Sequence, residues 1–170
     1  MISFESLFWK LKSVLQRRFV GSFGRFSKWY GGNIHSAHLM HVGEYVYIGP
    51  GFTAHAFGGI NIEDGVIIGP RLTIHTRNHR FEHAMSVPYD ADYTLKKVRI
   101  GRGTWIGDSV IILPGANIGQ GCIIGAGSVV SGNIADFSIA VGNPAKVIRL
   151  RRDIDNTIIY LNEGRFYLKK

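Results

Sequence analysis

Histidine is the residue type in this sequence that could most readily do chemistry. The chain of 170 residues contains seven histidines. An imidazole has a pKa close to neutrality, so it can take up and release a proton within one reaction, and it also binds zinc. His79 lies in the run Thr76-Arg77-Asn78-His79-Arg80, where a regular pattern in the sequence breaks off. Proton transfer and metal binding are therefore the two kinds of chemistry to weigh.

The single cysteine adds no second source of chemistry. Cys122 falls on a position of the regular pattern that is mostly occupied by small residues. We therefore expect it to be a small inward-facing side chain. One cysteine gives no disulfide framework, and no thiol chemistry is indicated.

The pattern that must position these side chains has a period of six residues. Aliphatic residues recur at this spacing without a slip at Ile100, Ile106, Ile112, Ile118, Ile124 and Val130. A helix needs a period near 3.6 and an ordinary strand a period of 2, whereas a period of six fits a hexapeptide β-helix. Each group of three hexapeptides is predicted to close one triangular coil around the stacked aliphatics. The alternative, a β-sandwich with coincidental spacing, is disfavoured by so many aliphatics in phase.

The repeat begins earlier in the chain and is interrupted once. From Ala54 to Ile62 the step is eight residues instead of six, and between Ile74 and Ile100 the phase is lost. Because residues 80–99 contain no repeat, we expect them to form a loop extruded from the coil. An irregular loop of this length in a compact domain is usually functional or mobile. The sequence predicts about four full coils and an N-terminal partial one.

Both ends of the chain are basic, whereas the repeat is nearly neutral. The formal net charge of +8 divides into +5 for residues 1–30, −1 for residues 31–145 and +4 for residues 146–170. This distribution does not predict a DNA-binding surface, and no nucleic-acid partner is expected.

The extent of the repeat predicts three segments: an N-terminal helix and connector (1–33), a β-helix domain (34–148) and a basic C-terminal tail (149–170). The tail could hold a short helix followed by Gly164 and an extended end.

The N-terminal segment predicts an amphipathic helix over residues 4–19, capped by Ser3. Its apolar stripe could pack on the β-helix or on a neighbouring subunit. Because Lys10, Lys12, Arg17 and Arg18 flank the stripe, it could instead contact an anionic membrane surface. No signal peptide and no membrane-spanning run are evident. A cytoplasmic location is expected, with peripheral contact at the inner membrane face as an option.

Several short motifs resemble those of the hexapeptide-repeat acyltransferases. They are Thr104-Trp105-Ile106-Gly107, Ile112-Leu113-Pro114-Gly115, Ile124-Gly125-Ala126-Gly127-Ser128-Val129-Val130 and Gly142-Asn143-Pro144-Ala145-Lys146-Val147-Ile148. The likeness extends from about Gly31 to Arg149 and is nearest to the sugar O-acetyltransferases, which include galactoside, maltose, nodulation-factor, capsule and O-antigen acetyltransferases. The resemblance implies a left-handed parallel β-helix, an exception to the usual right-handed crossover that periodicity alone does not indicate.

The resemblance also implies the residues that act on the acceptor. His79 matches the histidine that serves as general base, removing the proton of an acceptor hydroxyl as its oxygen attacks the acetyl thioester. His55, Asn78 and Glu82 are the predicted acceptor contacts, although the eight-residue step leaves the alignment of His55 open. His75 is expected to be a stacked structural side chain at a similar edge of the next coil.

The predicted contacts to acetyl-CoA lie further along the chain. Trp105, Asp108 and Ala126 match positions that line the pantetheine channel, and Lys146 and Arg149 match basic positions that meet the nucleotide phosphates. The pair Ser131-Gly132 stands where many relatives carry Thr-Lys. One phosphate contact is therefore either absent or supplied by Arg151 or Arg152.

The implied function is that of an acetyl-CoA-dependent O-acetyltransferase acting on a sugar or glycan. The resemblance implies a homotrimer with active sites between subunits, and no metal is required. An N-acetyltransferase acting on an amino sugar or drug would share these motifs. A zinc-dependent β-helix hydratase is a second alternative, because three histidines near one edge could bind zinc. A non-catalytic β-helix scaffold is the third.

Overall fold

The structure, a computed structural model, describes residues 18–169. These residues wind into a left-handed parallel β-helix whose three sheets, here called A, B and C, form the sides of a triangular prism. Sheet A consists of β1 (Ser22–Phe23), β4 (Met40–Val42), β7 (Ile60–Ile62), β12 (Val98–Ile100), β15 (Asn117–Ile118) and β18 (Asn133–Ile134). Sheet B consists of β2 (Lys28–Trp29), β5 (Tyr47–Ile48), β8 (Ile67–Ile68), β13 (Trp105–Ile106), β16 (Ile123–Ile124), β19 (Ser138–Val141) and β20 (Lys146–Leu150). Sheet C consists of β3 (Gly32–His35), β6 (Phe52–His55), β9 (Thr73–His75), β14 (Ile111–Ile112) and β17 (Val129–Val130).

The core is a stack of aliphatic side chains, as the six-residue period predicts. In sheet A, for example, Ile62, Ile100, Ile118 and Ile134 are successive partners in register. The inward positions are almost entirely buried, and Cys122 fills one of them with no exposed surface. This complete burial confirms the expected inward-facing role of Cys122, and it raises the pKa of the thiol.

The number of coils differs from the sequence-based prediction. Five complete coils and a sixth with two parallel strands, β18 and β19, are present in residues 18–141. The first coil lies in the segment that the sequence analysis assigned to a connector, and the predicted domain boundary after residue 33 falls within β3. This coil escaped detection because aromatic residues, Phe23 and Trp29, hold two of its inward positions and only the third is an aliphatic, Ile34.

The interruption of the repeat is a β-hairpin that leaves the coil where sheet C passes into sheet A. Strands β10 (Arg77–His79) and β11 (Tyr93–Leu95) form its antiparallel base, and residues 80–92 form its tip. The coil resumes at Val98, so the extruded segment comprises residues 76–97 and not 80–99 as predicted.

The C-terminal segment turns back along the coil. Strand β20 runs antiparallel to β19, and α1 (Ile154–Asn162) follows, as the short helix predicted for the tail. Beyond it, Phe166 covers Gly65, which has a φ of 68° and no room for a β-carbon against that ring. A short 3₁₀ helix, Ala37–Leu39, completes the elements found in residues 18–169.

The predicted N-terminal helix lies almost wholly outside the described residues, which begin at residue 18. From residue 18 to residue 169, no helix is both long enough and apolar enough to span a membrane.

Candidate active site

The hairpin at the corner between sheets C and A positions His79. In its antiparallel base, Asn78 is the register partner of Thr94, and His79 is the register partner of Tyr93. The tip of the hairpin then folds back, so that Tyr89 also stacks on His79. The ring centroids of His79 and Tyr89 are 3.8 Å apart at an interplanar angle of 22°. The Tyr93 ring is 4.5 Å from the imidazole at 38°.

One nitrogen of the His79 ring is enclosed. Nδ1 is buried and has no hydrogen-bond partner among residues 18–169, whereas the residue as a whole is only partly buried and lines an open cleft. We infer that Nε2 is the nitrogen available to a substrate.

The hairpin tip is held by one carboxylate. Asp90 accepts hydrogen bonds from the Arg80 guanidinium and from the backbone N–H groups of Met85 and Asp92. These donors, the guanidinium above all, lower the pKa of Asp90 to about 2. Arg80 also pairs with Asp92, with 2.9 Å between Nη2 and Oδ2. These contacts tie the two sides of the tip to each other.

A cleft of about 530 Å³ opens beside His79. It brings together the predicted base His79 and two of the predicted acceptor contacts, Asn78 and Glu82. Its remaining walls come from the hairpin and from the corners of the next two coils: Arg80, Phe81, His83, Thr94, Lys96, Leu113, Pro114 and Ser131. The cleft therefore combines a proton-accepting group with polar side chains able to hold an acceptor.

The third predicted acceptor contact, His55, lies elsewhere. His35, His55 and His75 occupy the same register position on adjacent strands of sheet C. Their rings stack with centroid separations of 4.8 Å and 4.9 Å and interplanar angles of 7° and 8°. The predicted stacking of His75 is confirmed, and His55 belongs to this histidine ladder and not to the lining of the cleft.

The histidine ladder disfavours positive charge at its centre. Burial lowers the pKa of His55, and the neighbouring His75, His35 and Arg77 add to this effect in that order. The three rings are parallel and do not converge on one point. Across residues 18–169, no group of three His, Cys, Asp or Glu side chains is placed to hold a metal ion.

The residues predicted to line the pantetheine channel lie along the other edge of sheet C. Asp108 and Ala126 occupy equivalent turns between sheets B and C, where the Gly127 N–H donates to the Asp108 carbonyl over 2.8 Å. Trp105 projects outward from β13 and is 54% exposed. Asp108 and Ala126 are therefore exposed at the corner on the far side of sheet C from the His79 hairpin, and Trp105 is exposed on the adjoining sheet B, three residues before Asp108.

The predicted phosphate-binding residues are in β20. Lys146 and Arg149 are both exposed, and Arg149 donates a hydrogen bond to the carbonyl of Leu150. Arg151 is engaged by Asp153 through two hydrogen bonds of 3.1 Å, which lower the pKa of Asp153. Arg151 is therefore already paired with a carboxylate.

Comparisons with known proteins agree with this architecture. The family model for the bacterial transferase hexapeptide (six repeats) matches residues 97–132. A crystal structure of a maltose O-acetyltransferase from Clostridium difficile is 30% identical, with a TM-score of 0.70 over 84% of this chain and 75% of that chain. The chain belongs to the hexapeptide-repeat transferase family.

Two further proteins are similar to this chain. An acetyltransferase from Vibrio cholerae, solved with acetyl coenzyme A, is 25% identical with a TM-score of 0.77 over 85% of this chain and 78% of that chain. A probable acetyltransferase of Mycobacterium tuberculosis is 37% identical over 113 residues, which is 66% of this chain. The chain spans only 38% of the length of that protein.

In this hexapeptide-repeat protein, sequence reasoning missed the residues that surround His79. Tyr89 and Tyr93 were visible only as part of a loop without repeat, and nothing in their spacing indicated that they contact the imidazole. His35 was missed as a member of the histidine ladder because the first coil was not recognised. Its spacing of twenty residues from His55, equal to that between His55 and His75, was the available signal.

Proposed function

We propose that the protein is an acetyl-CoA-dependent O-acetyltransferase that acylates a hydroxyl of a sugar or glycan. The observation that carries the proposal is His79, held by the hairpin at the edge of a polar cleft with Nδ1 enclosed. We infer from this that Nε2 is the nitrogen that meets the acceptor. In the reaction, the acceptor oxygen attacks the thioester carbon while His79 takes the hydroxyl proton. The C–S bond then breaks, and the proton passes to the departing thiolate of coenzyme A.

The similar proteins support both substrates. The V. cholerae neighbour is an acetyltransferase solved with acetyl coenzyme A, and the C. difficile neighbour is named a maltose O-acetyltransferase. In the present chain, Asn78 and Glu82 offer hydrogen bonds to hydroxyl groups in the cleft. The edge formed by Trp105, Asp108 and Ala126 offers backbone groups to a pantetheine arm.

The separation of these two surfaces favours an assembly in which neighbouring copies share each site. Within one chain, the His79 cleft lies at the corner between sheets C and A, whereas Asp108 and Ala126 lie at the corner between sheets B and C. We propose a homotrimer in which the pantetheine edge of one subunit faces the His79 cleft of the next. Each of the three sites would then combine residues from two subunits.

Kinetic analysis of His79→Ala tests the assignment of the base. Loss of a general base typically lowers the rate about 10²–10⁴-fold. We expect this loss in kcat, measured as thiol release with an acceptor found by screening hydroxyl and amino sugars, with little change in acetyl-CoA affinity. His38→Ala, in the exposed 3₁₀ helix, serves as the control. A folded His79→Ala protein with near wild-type kcat would rule out this mechanism.

Subunit mixing tests whether sites are shared. At acetyl-CoA concentrations well below the KM, His79→Ala subunits lack the base and Lys146→Ala/Arg149→Ala subunits bind acetyl-CoA weakly. Mixed trimers should regain activity under these conditions because some sites receive both intact surfaces. Light scattering should give the mass of a trimer. A monomer mass, or mixtures no more active than their parents, would contradict the shared site.

We also propose that the protein is cytoplasmic and that residues 4–19 contact an anionic membrane surface. If the basic segment binds anionic lipid, cosedimentation with phosphatidylserine vesicles should weaken as salt is raised, because charge attraction is screened. Equal sedimentation with neutral vesicles would remove the electrostatic part of this proposal.

A further inference from the structure

Within residues 18–169, His79 has no partner of the kind that usually stabilises a histidine base when it becomes charged. In many hydrolytic sites a carboxylate or carbonyl accepts the hydrogen bond of the second ring nitrogen. Here Nδ1 of His79 is buried, and the described residues offer it neither a hydrogen-bond acceptor nor a carboxylate that forms an ion pair with the ring. A positive imidazolium formed during the reaction therefore needs another source of stabilisation.

Two tyrosine rings pack against the imidazole of His79 instead. Tyr89 stacks on the imidazole at 3.8 Å and 22°, and Tyr93 contacts it at 4.5 Å and 38°. The face of an aromatic ring carries the negative part of its quadrupole, and it attracts a cation placed within about 6 Å of the ring centre. Both separations are inside this range.

The rest of the hairpin fixes Tyr89 in this position. Asp90, the next residue, is the hub that ties Arg80 and two backbone N–H groups together. The Tyr89 carbonyl also accepts a hydrogen bond of 2.8 Å from the Ser86 hydroxyl. The stacking of Tyr89 on His79 is therefore supported on both sides of Tyr89 in the chain.

The charged groups near the two tyrosines indicate that Tyr89, more than Tyr93, can stabilise a positive charge on His79. The guanidinium of Arg77 lies 4.3 Å from the Tyr93 ring and 3.6 Å from the Phe57 ring, so Tyr93 already contacts one cation. The guanidinium of Arg80 is neutralised by Asp90 and Asp92. The ring of Tyr89, by contrast, has no cation stacked on it within residues 18–169, so its face is available to the imidazolium.

We propose that Tyr89, assisted by Tyr93, is a positioning residue that stabilises the imidazolium form of His79 during acetyl transfer. The proposal rests on the proposed function. When the acceptor O–H bond breaks, the proton goes to Nε2 and the positive charge develops against the face of Tyr89. The proton then passes to the departing thiolate, and the ring returns to its neutral form. An aromatic face thus replaces the carboxylate of a His–Asp pair.

Replacing Tyr89 by leucine and by phenylalanine separates this role from simple packing. Tyr89→Leu removes the ring and should lower kcat roughly fivefold to thirtyfold, the equivalent of losing a cation–π contact of about 1–2 kcal/mol. The acidic limb of the pH–rate profile should move to lower pH, because an imidazolium that has lost its stabilisation forms less readily. Tyr89→Phe keeps the ring face and should retain both kcat and the profile.

Tyr160→Leu is the matched control for these variants. Tyr160 lies in α1 and is 44% exposed, the same fraction as Tyr89. It should leave kcat and the pH–rate profile unchanged. Thermal melting of all three variants should show that the coil is intact.

Proton NMR gives a second readout that needs no acceptor. In the wild type and in Tyr89→Phe, the ring protons of His79 should be shifted upfield by the adjacent aromatic ring, and this shift should shrink in Tyr89→Leu. The midpoint of the His79 C2-proton titration should fall in Tyr89→Leu only. If the titration behaves as expected but no acceptor is acetylated by the wild type, the proposed function fails and the stabilisation stands. A Tyr89→Leu protein with an unchanged titration, or equal losses in Tyr89→Leu and Tyr89→Phe, would overturn the proposal.

Discussion

The coil and the hairpin that leaves it hold their shapes by opposite means. In the coil, each buried aliphatic packs on its equivalents one turn above and below, and parallel register repeats the same contact. In residues 76–97, shape depends on single interactions that occur once, such as the Asp90–Arg80 pair and the stacking of Tyr89 on His79. A regular coil offers the same edge at every turn. A site with distinct chemistry arises where the repeat is interrupted.

The comparison predicts that stability and activity can be lost separately. Ile112→Ala removes a fully buried side chain from the fourth coil, so it should cost about 2–5 kcal/mol of unfolding free energy. His79→Ala should leave the urea midpoint near that of the wild type while abolishing most transfer. Urea denaturation of both proteins is the measurement. A large loss of stability in His79→Ala would mean that the hairpin supports the coil and that the two regions are not independent.

The phosphate-binding assignment should affect affinity more than chemistry. Lys146→Ala with Arg149→Ala removes two exposed cations from β20, and the KM for acetyl-CoA should rise roughly tenfold or more, since hydrogen bonds to charged groups contribute about 1.5–3 kcal/mol. These contacts are remote from the reacting carbon, so kcat should change little. Arg25→Ala with Lys28→Ala, at the first coil, provides a control with two other exposed cations. An unchanged KM with a collapsed kcat would show that β20 does not hold the phosphates.

The hairpin tip should depend on Asp90 more than on Asp92. Asp90→Asn removes the charge that Arg80 pairs with, so hydrogen exchange in residues 80–92 should accelerate several-fold while the coil stays protected. Because the pKa of Asp90 is lowered to about 2 from an ordinary value of 3.8, this contribution is present above about pH 4 and is lost as pH falls through about 2. Asp92→Asn, at a more exposed carboxylate, should have a weaker effect. Equal acceleration in both variants would indicate that Asp90 is not the hub.

The smallest expected effect concerns the histidine ladder, which belongs to the coil but contains titratable groups. Since the pKa of His55 is lowered in the folded state, the unfolded chain binds a proton first as pH falls below 6.5, and folding stability declines there. The Tm of the wild type should fall between pH 7.5 and about pH 5, and in His55→Gln this fall should be smaller by a few degrees at most. His38→Gln, outside the ladder, should leave that slope as it is. An identical slope in the wild type and His55→Gln would remove the ladder as a source of acid sensitivity.

The site was only partly predictable from the sequence, and the residues show why. His79 marks the break in the period, and Asn78 and Glu82 are its neighbours in the chain, so the sequence named all three as candidates and the structure places them in one cleft. His55 was assigned to the acceptor by alignment across an eight-residue step, whereas its register with His35 and His75 places it in the ladder. Arg80, Asp90 and Asp92 form the clasp of the hairpin, and no spacing rule relates ion pairs within an irregular loop.

The sequence by itself determined the coil, the place of its interruption and the family to which the chain belongs. It could do so because the inward position is set by burial alone, and the same requirement recurs every six residues whatever the rest of the chain does. Tertiary structure decided that the first coil starts within the apparent connector, that Tyr89 covers the imidazole of His79, and that the His79 cleft and the Asp108–Ala126 edge lie on opposite sides of sheet C. These features depend on the register of the hairpin, on the hydrogen bonds that several donors make to the Asp90 carboxylate, and on the order in which the coil passes from one sheet to the next. Apart from the twenty-residue spacing of His35 from His55, none of them leaves a periodic trace in the sequence.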